Sequence, residues 1–278
     1  MRYKYRICFD LRKDGEKLYK FLKKNNYDIE EDFTSYYKYI VAYVYEDDDN
    51  FSIIEKLIKK YNIKPGIDVV YSKYEFEIAE WYKIYSTSIQ GYPQPESTYK
   101  ELVFSTNEHG CYCNAIQTGN MAIRKMVTYG NKYFFTLHWG SLLFCNHEVK
   151  RVFEEKGVKG IEFRKVFIKN QQSGIEANAL QMIPTTRLKE TLDHEKSIKN
   201  GKETCWECGG DRRLQAKEIY YKRETLENLD VDMVETKENF GFGVLRSPHY
   251  LINKKIYSII KENKMEKNLI IEPIFYSN

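Results

Sequence analysis

The sequence predicts an α+β fold in two parts, from three observations. In the N-terminal quarter, short apolar-aromatic runs alternate with segments of helical periodicity. In the second half, a helix-turn-strand pattern of apolar positions occurs twice, about 107 residues apart. Hydrophobic residues make up 42% of the 278, enough for a core without disulfide staples.

Taken in order, Tyr3–Phe9 is apolar and aromatic enough for a strand, and Leu18, Phe21 and Leu22 recur at helical spacing within Glu16–Lys24. Tyr36–Tyr45 is the clearest strand of the chain. Asn50 stands where it would cap a second helix with Phe51, Ile54, Leu57, Ile58 and Tyr61 on one face. Pro65-Gly66 makes a turn before a strand that begins at Val69. The order β-α-β-α-β over residues 1–74 suits a ferredoxin-like unit, a frame that hosts many activities and so implies none. Glu75–Tyr85 reads as a short helix with Ile78, Trp81 and Tyr82 on one side. Gly91–Glu96, with two prolines, reads as an extended connector, so 75–98 is expected to be a helix and linker.

Residues 99–278 then form the larger α+β domain. Val149, Val152, Phe153, Val158, Phe163, Val166 and Phe167 set out a helix, a turn and a strand. Ile256, Ile259, Ile260, Met265, Ile271, Ile274 and Phe275 repeat that order. Two such units would pack together, with the cysteine segments between or beside them.

Composition excludes several classes. The 44 basic and 40 acidic residues leave a net charge of +4, too balanced to imply nucleic-acid binding alone. No apolar run approaches the length of a membrane span, and the basic start, Met1–Phe9, lacks the apolar stretch of a signal peptide. Six cysteines without secretion signals suggest reduced thiols in a cytoplasm, Cys8 and Cys145 being small buried hydrophobes. No phosphate-binding P-loop occurs, and Gly241-Phe242-Gly243 lacks the rest of a dinucleotide fingerprint. The 24 tyrosines suit half-buried strands and interfaces.

Chemistry concentrates at the cysteines. Cys205-Trp206-Glu207-Cys208-Gly209 lets two thiolates face one ion, because the glycine permits the turn that aims backbone N–H groups at sulfur. Cys111 and Cys113 form a second close pair, with His109 as a spare ligand. Four sulfurs are what a closed structural zinc site requires, and a site built from distant pairs would clip two parts of the chain together. The other reading is four reduced, unpaired thiols. After the pair at 205–208, basic residues interleave with aromatics at Arg212, Arg213, Tyr221 and Arg223; this would suit single-stranded nucleic acid, or be an ordinary exposed strand or helix face. Asp230, Asp232 and His138 are the residues a hydrolase would use, although a solvated strand or turn is the simpler account of the two aspartates.

The segment 139–167, the Cys205–Gly209 knuckle and the closing Asn253–Phe275 resemble the bacterial double-CXXCG proteins. More loosely they resemble immunity proteins found beside polymorphic toxins, over residues 75–278. The upstream pair departs from that pattern, being Cys111-Tyr112-Cys113-Asn114 rather than Cys-x-x-Cys-Gly. The resemblance implies a cytoplasmic, zinc-binding, non-enzymatic protein acting in bacterial defence by binding a partner protein such as a toxin. A zinc ribbon that binds nucleic acid is the alternative.

Overall fold

Strand β1 (Arg2–Asp10) begins a four-stranded antiparallel sheet in the computed structural model of the protein. The structure describes residues 1–11, 15–33, 38–106, 112, 115–138, 142–197, 203–204, 211–213, 218–240 and 247–277, with backbone alone at 203–204 and 211–213. The chain forms two compact units, Met1–Glu77 and Ile78–Asn278. In the first unit β1 is followed by α1 (Glu16–Lys24), β2 (Asp28–Phe33), β3 (Lys38–Tyr45), α2 (Phe51–Lys60), β4 (Gly66–Val70) and a short α3 (Lys73–Ile78).

The sheet order is β2-β3-β1-β4. Alternation along β1 and β3 turns Ile7, Phe9, Ile40, Ala42 and Val44 onto one face, where Leu18 and Leu22 of α1 and Ile54 and Ile58 of α2 cover them. The same alternation leaves Cys8 exposed between Ile7 and Phe9, so it is not the buried residue its apolar neighbours suggest. β2 is absent from the sequence-based order: Asp-Ile-Glu-Glu-Asp-Phe offers only two apolar residues, which suffices for an edge strand exposed along most of its length. Asn50 occupies the expected cap position without a side-chain bond to α2. Instead Asp48 braces that corner, accepting from the Asn50 N–H at 2.9 Å and from the Tyr27 hydroxyl.

The second unit contains two five-stranded sheets of one design. Along the chain come β5 (Trp81–Ser86), a one-turn helix α4 (Tyr99–Val103), β6 (Phe104–Ser105), β7 (Ile116–Gln117), β8 (Ala122–Ile123), β9 (Phe134–Phe135), β10 (Leu143–Cys145), α5 (His147–Glu155) and β11 (Ile161–Ile168). There follow β12 (Glu176–Pro184), β13 (Glu203–Thr204), β14 (Asp211–Arg213), β15 (Tyr220–Lys222), α6 (Arg223–Glu227), β16 (Met233–Glu235), β17 (Tyr250–Asn253), α7 (Lys254–Glu262) and β18 (Leu269–Ser277). One sheet is ordered β8-β11-β12-β10-β9 and the other β15-β18-β5-β17-β16. In each, the first pair is parallel and every other neighbour antiparallel.

Two copies of one motif account for this order, provided they exchange their first strands. β5 opens the first copy but lies at the centre of the second copy's sheet; β12 opens the second copy but lies at the centre of the first copy's sheet. Beyond these sheets the two strands make matching crossovers. Ile89 pairs in parallel with Thr136 after β9, and Arg187 pairs in parallel with Glu235 of β16. Each crossover has two backbone bonds of 2.9 Å: Thr136 N to Ser88 O and Gln90 N to Thr136 O, then Leu188 N to Glu235 O and Glu235 N to Thr186 O. The continuation of each exchanged strand thereby covers an edge strand of the opposite sheet.

The helices match as closely. Asn146 caps α5 by accepting from the Val149 N–H at 3.1 Å, and Asn253 caps α7 by accepting from the Ile256 N–H at 3.2 Å. Val149, Val152 and Phe153 are buried on one helix, Ile256, Ile259 and Ile260 on the other. Each helix ends in a left-handed residue, Gly157 (φ 60°) or Lys264 (φ 55°). The next N–H returns to the helix at 2.9 Å in both, Val158 to Phe153 O and Met265 to Ile260 O.

The segment expected as helix and linker is different in kind. Helix α3 stops at Ile78, and Trp81–Ser86 is strand, with every residue but Tyr85 buried. A strand buried on both faces shows no period of its own, so Ile78, Trp81 and Tyr82 mimic a helix face. Gly91–Glu96 is bonded into the second unit: His138 N donates to Gly91 O at 2.8 Å, Gln94 N donates to Ala122 O at 2.9 Å, and Pro93 is buried.

Candidate functional site

The two cysteine pairs hold corresponding places in the two copies. β6 and β7 pair antiparallel, Ser105 opposite Ile116, and the chain between them carries Cys111 and Cys113. β13 and β14 pair antiparallel, Thr204 opposite Asp211, and the chain between them carries Cys205 and Cys208. Each hairpin follows the exchanged strand of its copy and precedes the parallel edge strand, β8 or β15. Cys111, Cys113, Cys205, Cys208 and the spare ligand His109 themselves lie outside the described residues.

The base of the first hairpin is firmly held. Gln117 on β7 and Gln181 on β12 exchange side-chain hydrogen bonds at 2.8 and 2.7 Å, and Gln181 is fully buried. Thr118 N and Gly119 N both donate to Val103 O, at 2.8 and 3.0 Å. A Cβ on Gly119 would come within 2.5 Å of Leu102 O, so only glycine fits against that backbone. A buried amide pair of this kind is stable only when both partners stay bonded, which fixes the hairpin against the first sheet.

Asp232 is one polar tie between the copies. Its Oδ2 accepts from Lys159 N at 2.7 Å and Lys255 Nζ at 3.0 Å, and its Oδ1 accepts from Asn253 Nδ2 at 2.8 Å. Asp232 N in turn donates to Lys159 O at 3.0 Å. Burial acts to raise its pKa, but the bonds from Lys159, Asn253 and Lys255 outweigh it and hold the carboxyl below its usual range. Asp232 is therefore committed to structure, and Asp230 is an exposed partner of Lys159 at 2.9 Å; the pair does not form the ion site a hydrolase would require.

A cavity of about 250 Å³ opens within this unit, with Tyr99, His138, Arg164, Arg187, Glu235 and Tyr250 in its lining. Its guanidinium groups are already engaged. Arg164 grips Glu162 at 2.8 and 3.0 Å, while Arg187 donates to Lys237 O at 2.8 Å and to Asn239 Oδ1 at 3.2 Å. Burial raises the Glu235 pKa, with Arg187 acting the other way. The half-buried His138 ring stacks on the exposed Tyr92 ring, centroids 4.4 Å apart.

The residues expected to touch nucleic acid are not brought together as a face. Tyr221 has no exposed surface and belongs to the core of the second sheet, its hydroxyl donating to Glu238 at 3.3 Å. A ring in that position cannot stack on a base. Arg223 lies over the Tyr276 ring at 4.3 Å and meets Glu80 at 3.5 Å. Arg212 and Arg213 are described as backbone of β14 only. The alternation of basic and aromatic residues at 220–223 came from a short edge strand with one buried side, a pattern nucleic-acid contact would also give.

No protein-family model matches the chain, and no curated protein matches it. Among the described residues, no group of three or more His, Cys, Asp and Glu is placed to hold a metal. Sequence reasoning missed Asp232 as a tie and Gln181 as an anchor. The signal for Gln181 was a lone polar residue within the apolar run Ala-Leu-Gln-Met-Ile; Asp232, just before β16, carried no such mark.

Proposed function

We propose that this chain is a metal-clipped interaction protein of the double-CXXCG kind. Cys111, Cys113, Cys205 and Cys208 would supply four thiolates to one zinc ion, with His109 as the alternative to Cys111, and the protein would act by binding a partner protein rather than by catalysis. The observation that carries this reading is the equivalence of the two hairpins. Each copy places a cysteine pair between the strands of an antiparallel hairpin, at the same point in the order of elements. Two hairpin-borne pairs from related copies are the donor set of a closed structural site, in which the metal links both halves and leaves no position for substrate.

Cysteines kept reduced for metal suit a cytoplasmic protein, and a bacterial immunity or defence role is the form of partner binding the sequence resemblance implies. The N-terminal sheet order β2-β3-β1-β4, with two helices over one face, supports the ferredoxin-like reading of the first unit. Metal analysis of the purified chain tests the clip, with about one zinc per chain expected and loss on Cys205→Ser. A stable protein that binds no metal under reducing conditions would refute it. Co-purification with, and protection against, the product of a neighbouring toxin gene tests the partner.

A further inference from the structure

We propose that the groove between segments 89–96 and 124–127 docks an acidic segment of a partner protein that carries an apolar anchor residue. This deepens the interaction reading above and rests on it. Three large apolar side chains stand exposed around this one groove: Ile89 and Met126 at 50% and Tyr92 at 38%. Exposed apolar groups are ordinary when scattered, but three lining one concavity of about 300 Å³ are the pattern of a recognition site.

Both walls are held rigid from below. On one wall, the Ile89 segment is bonded to Thr136 through Ser88 O and Gln90 N, and His138 N donates to Gly91 O. On the other, Asn178 of β12 accepts from Val127 N and donates to Val127 O, both at 2.9 Å. With Val127 buried as the anchor, Arg124, Lys125 and Met126 point outward. A groove already ordered loses little entropy when it is filled.

Charge selects the occupant. Arg124 and Lys125 line the groove and form no ion pair among the described residues. The carboxylate in the lining, Glu96, is approached by Gln94 Nε2 at 3.1 Å. A partly apolar groove with two cations and one carboxylate in its lining fits a negatively charged protein segment whose apolar side chain sits against Ile89, Tyr92 and Met126.

The test is fluorescence anisotropy on the full chain at physiological salt, with a random copolymer of glutamate and tyrosine, polyglutamate and single-stranded poly-dT as probes. The expected result is binding of the copolymer in preference to polyglutamate, weakened roughly tenfold by the Arg124→Glu/Lys125→Glu double variant and also reduced by Met126→Ser. All three positions are exposed, so unchanged melting of the variants separates binding from folding. Unaltered copolymer binding by the double variant overturns the proposal. So does polyglutamate binding as tightly as the copolymer, or poly-dT preferred through the same two residues, which would make the groove a nucleic-acid site. A partner protein bound equally by wild type and double variant would remove the groove and leave the interaction reading standing; a chain that binds no protein would remove that reading itself.

Discussion

Replacing Asp232 tests the tie between the two copies. In Asp232→Ala three donors lose their acceptor: Lys159 N, Asn253 Nδ2 and Lys255 Nζ. Lys255, whose side chain is 42% exposed, turns to water at little cost. The Lys159 amide and the Asn253 amide are left in a part-buried site, and Asn253 also loses the contact that orients it to cap α7. Hydrogen bonds to a charged group are worth roughly 1.5–3 kcal/mol each, so two lost bonds cost about 3–6 kcal/mol. For a unit of this size each kcal/mol moves the melting midpoint by roughly 2–4 °C, giving a drop on the order of 10 °C. Asp232→Asn keeps one acceptor but sets its amide NH2 against a donor, so it should lose about half as much. All three tryptophans, Trp81, Trp139 and Trp206, lie in residues 78–278, so urea unfolding followed by tryptophan fluorescence reports this unit alone. The Asp232 pKa is lowered in the fold, so its contribution is full at neutral pH and fades as pH falls below the ordinary 3.8; the gap between wild type and Asp232→Asn should close there. A loss below about 1 kcal/mol in Asp232→Ala would show that this carboxylate does not tie the copies together.

Further outcomes follow from the same geometry. Asn146→Ala should cost about 1 kcal/mol in urea unfolding and Asn253→Ala more, because Asn253 loses its cap and also the bond that its Nδ2 donates to Asp232. Gly157→Ala should destabilise by about 1 kcal/mol through its positive φ, since no atom lies near the added methyl. Lys264→Gly, at the equivalent place, should be neutral or stabilising. Burial holds the His249 pKa well below 6.5, with Lys83 adding to it, so stability is lost as pH falls below 6.5. His249→Phe, which keeps the stack on Phe240, should flatten the loss between that pH and the carboxylate range, as read by melting temperature against pH. Chelation should lower the melting temperature of wild type and leave Cys205→Ser/Cys208→Ser unmoved; equal response in both would count against a metal at the knuckle.

Much of the fold was legible where one face of an element is buried and the other is not. The helices at 16–24, 51–60, 147–155 and 254–262 show their buried residues at helical spacing, and β3 shows its alternation. Trp81–Ser86 reads as helix because it is covered on both sides, and β2 escapes notice because Ile29 is its one partly covered residue. Of the candidate residues, Tyr221 looked like a surface aromatic because its neighbours Tyr220 and Lys222 alternate with it, and only the core of the second sheet shows which way it points.

The sequence by itself determined that helix-turn-strand segments recur about 107 residues apart, because apolar periodicity is local and survives in each copy. It also placed two cysteine pairs in the chain. That β5 and β12 trade sheets, that their continuations cross to opposite edges, and that Asp232 ties one copy to the other were decided only by the tertiary structure. Strand pairing between residues far apart in sequence leaves no periodic mark, since any apolar strand of suitable length satisfies the same neighbours until packing selects among them.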